Sequence, residues 1–139
     1  LLLPYRVTVR GQRQWSKGVN FLMRRCAGID VEYRGLEHRP AVGAIVAAKH
    51  QSAWDTLIWH AILDDPAMVM KRELLGIPVY GWMCRKTRMI AVDRKSGTKA
   101  LRAMLKDARA AVALGRPIVI FPQGTRVAPG ASVDRTSVG

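Results

Sequence analysis

The amino-acid sequence predicts an α/β fold in which helices flank a mixed, largely parallel sheet. Short apolar runs alternate with stretches of helical periodicity, and this order is typical of parallel strand pairing. The chain has 139 residues, 49% of them hydrophobic, which suits a single domain with a buried core. Strands are expected at residues 29–34, 41–48, 67–70, 89–92 and 118–121, and helices at 12–26, 54–63 and 97–114.

The predicted strands differ in how much of each is apolar. Ile29, Val31 and Tyr33 alternate with charged residues, which is the pattern of a strand with one buried face. Residues 41–48 are apolar or glycine throughout, as expected for a central strand that is buried on both faces. The other runs are short, and polar or turn-forming residues bound them.

Apolar residues at helical spacing predict the helices. In residues 97–114 an apolar stripe lies opposite basic residues, and Gly115 and Pro117 end the helix. Residues 12–26 carry a second stripe with basic residues beside it. That stripe comprises Trp15, Val19, Leu22, Met23 and Cys26. Such a helix either lies on a membrane surface or packs on the domain with a solvated basic face.

The charge distribution requires an anionic partner. The formal net charge is +13, and residues 71–109 hold eleven Lys and Arg against three acidic residues. Nucleic acid, a lipid surface and a phosphorylated substrate would each satisfy that charge. Tyr80 and Trp82 lie among apolar residues instead of between basic ones, so this part of the chain resembles a lipid contact more than a base-stacking surface. No apolar run reaches the ~18–20 residues that span a bilayer.

The two cysteines give no sign of a disulfide or a metal site. Cys26 and Cys84 are isolated, without a paired spacing or neighbouring metal ligands. We expect both to be buried small hydrophobic residues in a reducing, cytosol-facing location.

His50 and Asp55 follow an apolar run and form a candidate pair of base and carboxylate. On a continuous helix, residues five apart point ~140° away from each other, so a turn must bring the two together. Ser52 is expected to cap the next helix, with Asp55 in its first turn. The carboxylate would then fix the imidazole tautomer and leave the other nitrogen to accept a proton from a hydroxyl. Alternatively, Asp55 only caps the helix and His50 is a loop residue; His38 and His60 are expected to be surface and helix-face residues.

A second candidate segment, residues 121–126, follows the last predicted strand. Gly124 allows close backbone approach, and Thr125 and Arg126 add a hydroxyl and a planar guanidinium suited to phosphate. Lys71 ends another strand, at the sheet edge where open α/β sheets bind ligands. The alternative is an ordinary turn with a solvated arginine. Together the two segments suggest a transferase that acts on a phosphorylated alcohol.

These segments resemble three ordered motifs of one family. Residues 49–56 carry the His-x4-Asp pattern, residues 71–82 and 90–94 look like the second block, and residues 121–126 resemble Phe-Pro-Glu-Gly-Thr-Arg. The chain is similar in this respect to the lysophosphatidic acid (1-acylglycerol-3-phosphate) acyltransferases of the glycerolipid acyltransferase superfamily. The resemblance spans most of the chain.

The resemblance implies a reaction and a set of residue roles. His50 would deprotonate the sn-2 hydroxyl of lysophosphatidate, which attacks the thioester of acyl-CoA or acyl-carrier protein, and Asp55 would hold His50. The phosphate would be bound by Lys71, Gly124, Thr125 and Arg126, and the acceptor site supported by Gln123 and Arg94. No metal and no cofactor are expected, since a thioester needs little further activation.

The basic amphipathic helix and the apolar patch at residues 74–83, together with the resemblance, imply the organisation and location of the protein. Residues 1–27 would be a basic amphipathic N-terminal segment, and residues 28–139 an acyltransferase domain that is truncated at its C-terminus. Expected partners are a lysophospholipid, acyl-CoA or acyl-carrier protein and an anionic membrane surface, but not nucleic acid. Attachment would be peripheral or monotopic, at the cytoplasmic face of the inner membrane.

Gln123 departs from the family pattern, which has glutamate at this position. Glutamine keeps the size and the hydrogen-bonding oxygen but loses a charge. Two other acceptors, glycerol 3-phosphate and a lyso-ornithine lipid, remain open within the superfamily. A non-catalytic basic module that binds nucleic acid or membrane would explain the charge but not the ordered motifs.

Overall fold

A computed structural model of the protein describes residues 3–40, 42–124 and 126. This part of the chain forms four helices, four strands and three short 3₁₀ turns. The helices are α1 (Tyr5–Ala27), α2 (Asp55–Ile62), α3 (Tyr80–Lys86) and α4 (Gly97–Ala113). The strands are β1 (Ile45–Ala47), β2 (Ala67–Lys71), β3 (Ile90–Val92) and β4 (Ile118–Ile120). The 3₁₀ turns are Leu36–His38, Arg72–Gly76 and Arg94–Ser96.

The four described strands form one parallel sheet in the order β1-β4-β2-β3. In the register, Ile118 of β4 pairs with Ile45 of β1 and with Ala67 of β2, and Val69 of β2 pairs with Ile90 of β3. The predicted α/β fold with parallel pairing is therefore confirmed. Because the strands are parallel, the loops that follow all four lie at one edge of the sheet.

Apolar side chains cover both faces of the sheet. On one face, Ala67, Ile90 and Ile118 pack with Ala111 of α4. On the other face, Leu63, Met68 and Val119 form a second cluster, which side chains of α2 extend. The helix α1 lies outside this layer and packs on α2 and α3.

Most element boundaries agree with the sequence prediction to within one residue. This holds for α2, α4, β2, β3 and β4. The helix α1 begins at residue 5, seven residues before its predicted start at residue 12. The helix α3 was not predicted, because its residues fall in an apolar stretch without clear periodicity. Gly81 lets α3 approach the preceding 3₁₀ turn, since a Cβ there would collide with the Leu75 carbonyl.

The prediction of a central strand at residues 41–48 is wrong. The strand β1 covers only residues 45–47 and lies at an edge of the sheet, and Ile45 is 71% exposed. Ala41 lies outside the described residues. An uninterrupted apolar run indicates burial but not strand order, and β4 enters the sheet between β1 and β2 from far along the chain.

The predicted strand at residues 29–34 is also wrong. These residues have no regular structure, and Ile29 and Tyr33 are 50% and 41% exposed. A strand needs a partner for its hydrogen bonds, and no described strand pairs with this segment. Arg34 forms an ion pair (2.8 Å) with Glu32 of the same segment, not with a neighbouring strand.

The helix α1 packs on the domain through polar side chains instead of its apolar stripe. Thr8, Gln12 and Ser16 are the buried residues of α1. Trp15 and Leu22 remain 47% and 57% exposed. The helix therefore packs on the domain, as one of the two alternatives predicted. Its apolar stripe does not make the contact with the domain and is left largely exposed.

The two cysteines differ in burial. Cys84 is buried as expected, whereas Cys26, at the exposed end of α1, is not. The prediction for Cys26 is wrong because the stripe to which it belongs faces outward.

No helix in the described part of the chain is long and apolar enough to cross a bilayer.

Candidate active site

The predicted site residues lie at the end of the sheet that is formed by the carboxyl ends of the strands. The strand β1 leads into the loop that carries His50, and β4 leads into residues 121–124. Because β4 pairs directly with β1, these two loops are neighbours. Lys71 ends β2 and Arg94 follows β3 on the far side of β4.

His50 and Asp55 form the predicted pair. The distance from His50 Nδ1 to Asp55 Oδ2 is 3.2 Å, and each side chain is 18% exposed. An ionised carboxylate only accepts hydrogen bonds, so this contact favours the tautomer with the proton on Nδ1. His50 Nε2 is then left as the basic nitrogen.

The backbone before α2 holds the carboxylate of Asp55. Asp55 Oδ2 accepts hydrogen bonds from the amides of Gln51 (2.6 Å) and Ser52 (2.7 Å), and Oδ1 accepts from the Ser52 hydroxyl (3.2 Å). Burial raises the pKa of Asp55, but these amides and His50 outweigh it, so the pKa lies below its ordinary value. Asp55 is therefore ionised at neutral pH.

The predicted N-cap role of Ser52 is wrong. The residue before α2 is Trp54, and no side chain among the described residues caps the helix. The acidic half of the capping pattern does form, since Asp55 accepts from the Ser52 amide. The Ser52 hydroxyl donates to Asp55 instead of accepting from the helix, so the pattern here serves the carboxylate.

Two residues of the 121–124 segment contact His50. The ring of Phe121 lies against the imidazole with centroids 4.5 Å apart and planes at 31°. The side-chain oxygen of Gln123 accepts a hydrogen bond from the backbone amide of His50 (3.0 Å). The sequence placed Gln123 at the acceptor site but did not predict this contact, which depends on β1 and β4 being neighbours.

Arg94 lies against the turn at Gly124. Gly124 has φ +65°, and a Cβ there would lie 3.0 Å from Arg94 Nη1, so glycine leaves room for the guanidinium. Lys71 and Arg126 are exposed. Thr125, which the sequence analysis assigned to the phosphate, lies outside the described residues.

The other two histidines lie away from this pair. His38 is exposed, as predicted. His60 is partly buried on α2, and burial is the main cause that lowers its pKa to about 4. Within the described residues, no group of three or more His, Cys, Asp and Glu side chains is arranged to hold a metal ion.

A contact between α1 and the loop that carries His50 was not predicted from the sequence. The indole Nε1 of Trp54 donates to Asn20 Oδ1 (2.7 Å). The Ser16 hydroxyl, one turn before Asn20 on α1, donates to the carbonyl of Leu57 in the first turn of α2 (2.6 Å). Both polar residues lie outside the apolar stripe, and their spacing of four residues was the available signal.

Comparison with known proteins identifies the family. A family model described as Acyltransferase matches residues 30–136. The chain belongs to the Acyltransferase family. It is 36% identical over 130 residues to the 1-acyl-sn-glycerol-3-phosphate acyltransferase of Pseudomonas aeruginosa, covering 93% of this chain and 51% of that protein. It is 35% identical over 101 residues to the alpha form from Mus musculus, covering 71% of this chain and 35% of that protein.

A solved structure shows the same arrangement of elements. The 1-acyl-sn-glycerophosphate (LPA) acyltransferase PlsC from Thermotoga maritima superposes with a TM-score of 0.71 at 25% identity. The match covers 94% of this acyltransferase chain and 51% of the Thermotoga chain. The present chain thus spans about half the length of that structure and of the Pseudomonas relative.

Proposed function

We propose that the protein transfers a fatty acyl group from acyl-CoA or acyl-carrier protein to the sn-2 hydroxyl of lysophosphatidic acid. The observation that carries the proposal is the contact of His50 Nδ1 with the Asp55 carboxylate, beside the turn at Gly124. The names of the Pseudomonas and Thermotoga relatives support the acceptor. The product would be phosphatidic acid.

In this mechanism His50 acts as a general base. Its Nε2 accepts the proton of the acceptor hydroxyl while that oxygen attacks the thioester carbonyl carbon. The carbon–sulfur bond then breaks, and the thiolate of CoA or carrier protein takes the proton from the imidazolium. Asp55 holds the ring and stabilises its positive charge, and no covalent acyl-enzyme and no cofactor are required.

The turn after β4 and the cations beside it suit the phosphate of the acceptor. Arg94 lies against Gly124, and Lys71 ends a strand of the same sheet edge. We assign the phosphate to Lys71, Gly124, Thr125 and Arg126, with Gln123 and Arg94 supporting the acceptor. Charge-assisted hydrogen bonds from such groups are about twice as strong as neutral ones.

The proposal is tested by acylation of lysophosphatidic acid with a long-chain acyl-CoA and, separately, an acylated carrier protein. His50→Ala should lower kcat about 10²–10⁴-fold, the usual contribution of a positioned base. His38→Ala removes an exposed histidine and is the matched control, with kcat unchanged. Equal activity of His50→Ala and the wild type would exclude the mechanism. Glycerol 3-phosphate and a lyso-ornithine lipid, tested beside lysophosphatidic acid, would identify a different acceptor.

We further propose that the protein attaches peripherally to an anionic membrane, at the cytoplasmic face of the inner membrane, through α1. Val7, Trp15 and Leu22 are exposed and lie within ~80° of one another around the helix. Exposed Arg10 and Lys17 lie on the neighbouring face. An apolar strip beside basic residues is typical of helices that lie in a lipid interface.

Vesicle flotation tests this attachment. The wild type should float with vesicles that contain phosphatidylglycerol and much less with phosphatidylcholine alone. Leu22→Ser should weaken flotation. Leu105→Ser, which removes an exposed leucine of α4, is the control and should not. Equal flotation of the two variants would contradict the role of α1.

A further inference from the structure

On one face of α1, polar residues at a spacing of four point toward the domain. Thr8, Gln12, Ser16 and Asn20 follow this spacing, and the first three are buried. Gln12 Nε2 donates to the Thr87 hydroxyl (3.4 Å), away from the catalytic loop. Ser16 reaches α2, and Asn20 reaches the loop itself. The helix is therefore docked by a series of separate hydrogen bonds, and only the last of them involves the His-x4-Asp segment.

Asn20 has contacts that suit a fixed position. Its Oδ1 accepts the indole proton of Trp54 at 2.7 Å, and its Nδ2 donates to the Tyr33 hydroxyl at 3.3 Å. The carboxamide thus uses its acceptor on the loop and one donor on the segment that follows α1. An aliphatic side chain of similar size would supply neither.

Trp54 lies where a small shift would reach both catalytic residues. It directly precedes Asp55, the first residue of α2, and no side chain of the described residues caps the helix there. The two amides that hold the Asp55 carboxylate, from Gln51 and Ser52, belong to the same loop. Residues 48–53 of this loop lie outside the helices and strands, while the Trp54 carbonyl accepts the amides of Leu57 (2.9 Å) and Ile58 (3.1 Å) in the first turn of α2. A shift of Trp54 would therefore be passed to the start of α2 and to Asp55.

We propose that Asn20 is a positioning residue for the His50 and Asp55 pair, and that it acts through the Trp54 indole. This inference rests on the proposed acyl transfer. The hydrogen bond holds the loop against α1, which keeps the carboxylate at the distance from His50 Nδ1 that fixes the tautomer. Asn20 lies two turns beyond Gln12 on the same face, so helix docking and loop positioning can be separated by substitution.

The activity test compares four single variants with the wild-type chain. Asn20→Leu and Trp54→Phe each remove one partner, and each should lower kcat about ten- to hundred-fold with KM for lysophosphatidic acid unchanged, as expected when a reacting group is misplaced. Asn20→Asp keeps an acceptor oxygen for the indole and should restore kcat to within about three-fold of the wild type. Gln12→Leu removes a docking hydrogen bond of the same helix and should leave kcat unchanged even where it lowers the melting temperature.

The double variant tests whether the two residues act as one unit. Asn20→Leu with Trp54→Phe should be no less active than either single variant, because the same hydrogen bond is removed once. Multiplied losses would overturn the inference. So would a loss in Gln12→Leu that equals the loss in Asn20→Leu, since the effect would then be helix docking alone.

NMR of the amide and indole protons tests positioning without activity. The chain has four tryptophans, and Trp54→Phe identifies the indole resonance of Trp54. Asn20→Leu should move that resonance and the amide resonances of Gln51 and Ser52, whereas Gln12→Leu should leave all three in place. Unmoved loop amides in Asn20→Leu would overturn the inference. A third outcome separates the two proposals. If Asn20→Leu moves these amides but the wild-type chain is no more active than His50→Ala, the positioning role is supported and the proposed reaction is rejected.

Discussion

Asp55 accepts hydrogen bonds from two amides, one hydroxyl and one imidazole, and its charge is central to all of them. Asn at this position has the same size, but its NH₂ group would face the Ser52 hydroxyl or the amide protons. We expect Asp55→Asn to lower kcat by about 10²–10⁴-fold, because the imidazole loses the group that fixes its tautomer. Steady-state kinetics with lysophosphatidic acid check this.

The same substitution should change stability in a pH-dependent way. Folding lowers the pKa of Asp55, so its carboxylate stabilises the folded state above the unfolded value near 3.8, and that contribution is lost as pH falls through the folded pKa. At pH 7, Asp55→Asn should lower the free energy of unfolding by about 1–3 kcal/mol. Urea unfolding at pH 7 and at pH 3 should show a smaller difference at the lower pH. An equal difference at both values would contradict the assignment.

Gln123 shows how a departure from the family pattern can keep a contact. Its side-chain oxygen accepts the His50 amide, and a glutamate would do the same. Gln123→Glu should therefore keep kcat within about three-fold of the wild type, whereas Gln123→Met, of similar size without an acceptor, should lower kcat about ten-fold. Equal kcat in both variants would show that the contact does not position His50.

Single residues also mark the limit of prediction from this sequence. The His50 and Asp55 contact was predictable because the two residues are only five apart, and on a continuous helix they would point away from each other, so a turn before the helix had to join them. The contacts of His50 with Phe121 and Gln123 join positions more than seventy residues apart. They exist because β4 lies beside β1, and local patterns do not contain that order.

At the level of elements, periodicity predicted the bounds of most helices and strands correctly, but it failed where strand partners and burial depend on distant parts of the chain. Residues 97–114 and 67–70 carry clear patterns and form α4 and β2 within one residue of the expected bounds. Residues 29–34 have the alternation of a strand but no partner among the described strands, and residues 41–48 are apolar but lie at an edge. The apolar stripe of α1 indicated a helix correctly, but not which face would pack. The division of the chain at residue 27 stays a prediction.

The helix α2 carries a histidine whose burial has a measurable consequence. The pKa of His60 falls from 6.5 in the unfolded chain to about 4, chiefly because burial disfavours its charged form. The neutral ring contributes its full stability above pH 6.5, and the contribution is lost as pH falls toward 4, where the unfolded state binds a proton that the folded state does not. The free energy of unfolding should fall by at most about 3 kcal/mol over this range.

The comparison with His60→Leu isolates this effect. Denaturant unfolding at several pH values between 6.5 and 4 should give a steeper loss for the wild type than for the variant. His38→Leu removes an exposed histidine and should keep the wild-type slope. Parallel curves for the wild type and His60→Leu would show that His60 is not kept neutral by the fold.

At the scale of the whole molecule, the end of the sheet opposite the His50 and Asp55 pair is held together by a buried cation, Arg116. Arg116 is 4% exposed and lies just before β4. Its guanidinium donates to backbone carbonyls of the loops that precede β2 and β3, and pairs with Asp65 Oδ1 at 3.0 Å. The carbonyls belong to Asp65, Pro66, Thr87 and Arg88.

Asp65 extends this cluster to α1. The hydroxyl of Tyr5 donates to Asp65 Oδ2 (2.6 Å), and burial together with this carboxylate raises the pKa of Tyr5 to about 12. One cation thus joins the starts of three strands and, through Asp65, the first turn of α1. This cluster was not predictable from the sequence, because one arginine among 23 basic residues carries no local pattern.

Replacement of Arg116 should therefore destabilise the whole domain without a direct effect on the His50 and Asp55 pair. Arg116→Leu removes the ion-pair partner of Asp65 Oδ1 and the guanidinium donor of four carbonyls, and it should cost about 3–5 kcal/mol, the usual loss when one partner of a buried ion pair is removed. Arg116→Lys keeps the charge but not the planar fork, so its cost should be smaller. Arg109→Leu, on the exposed surface of α4, should cost less than about 0.5 kcal/mol. Urea unfolding measures all three, and a cost for Arg116→Leu no larger than for Arg109→Leu would mean that the guanidinium does not hold the strands together.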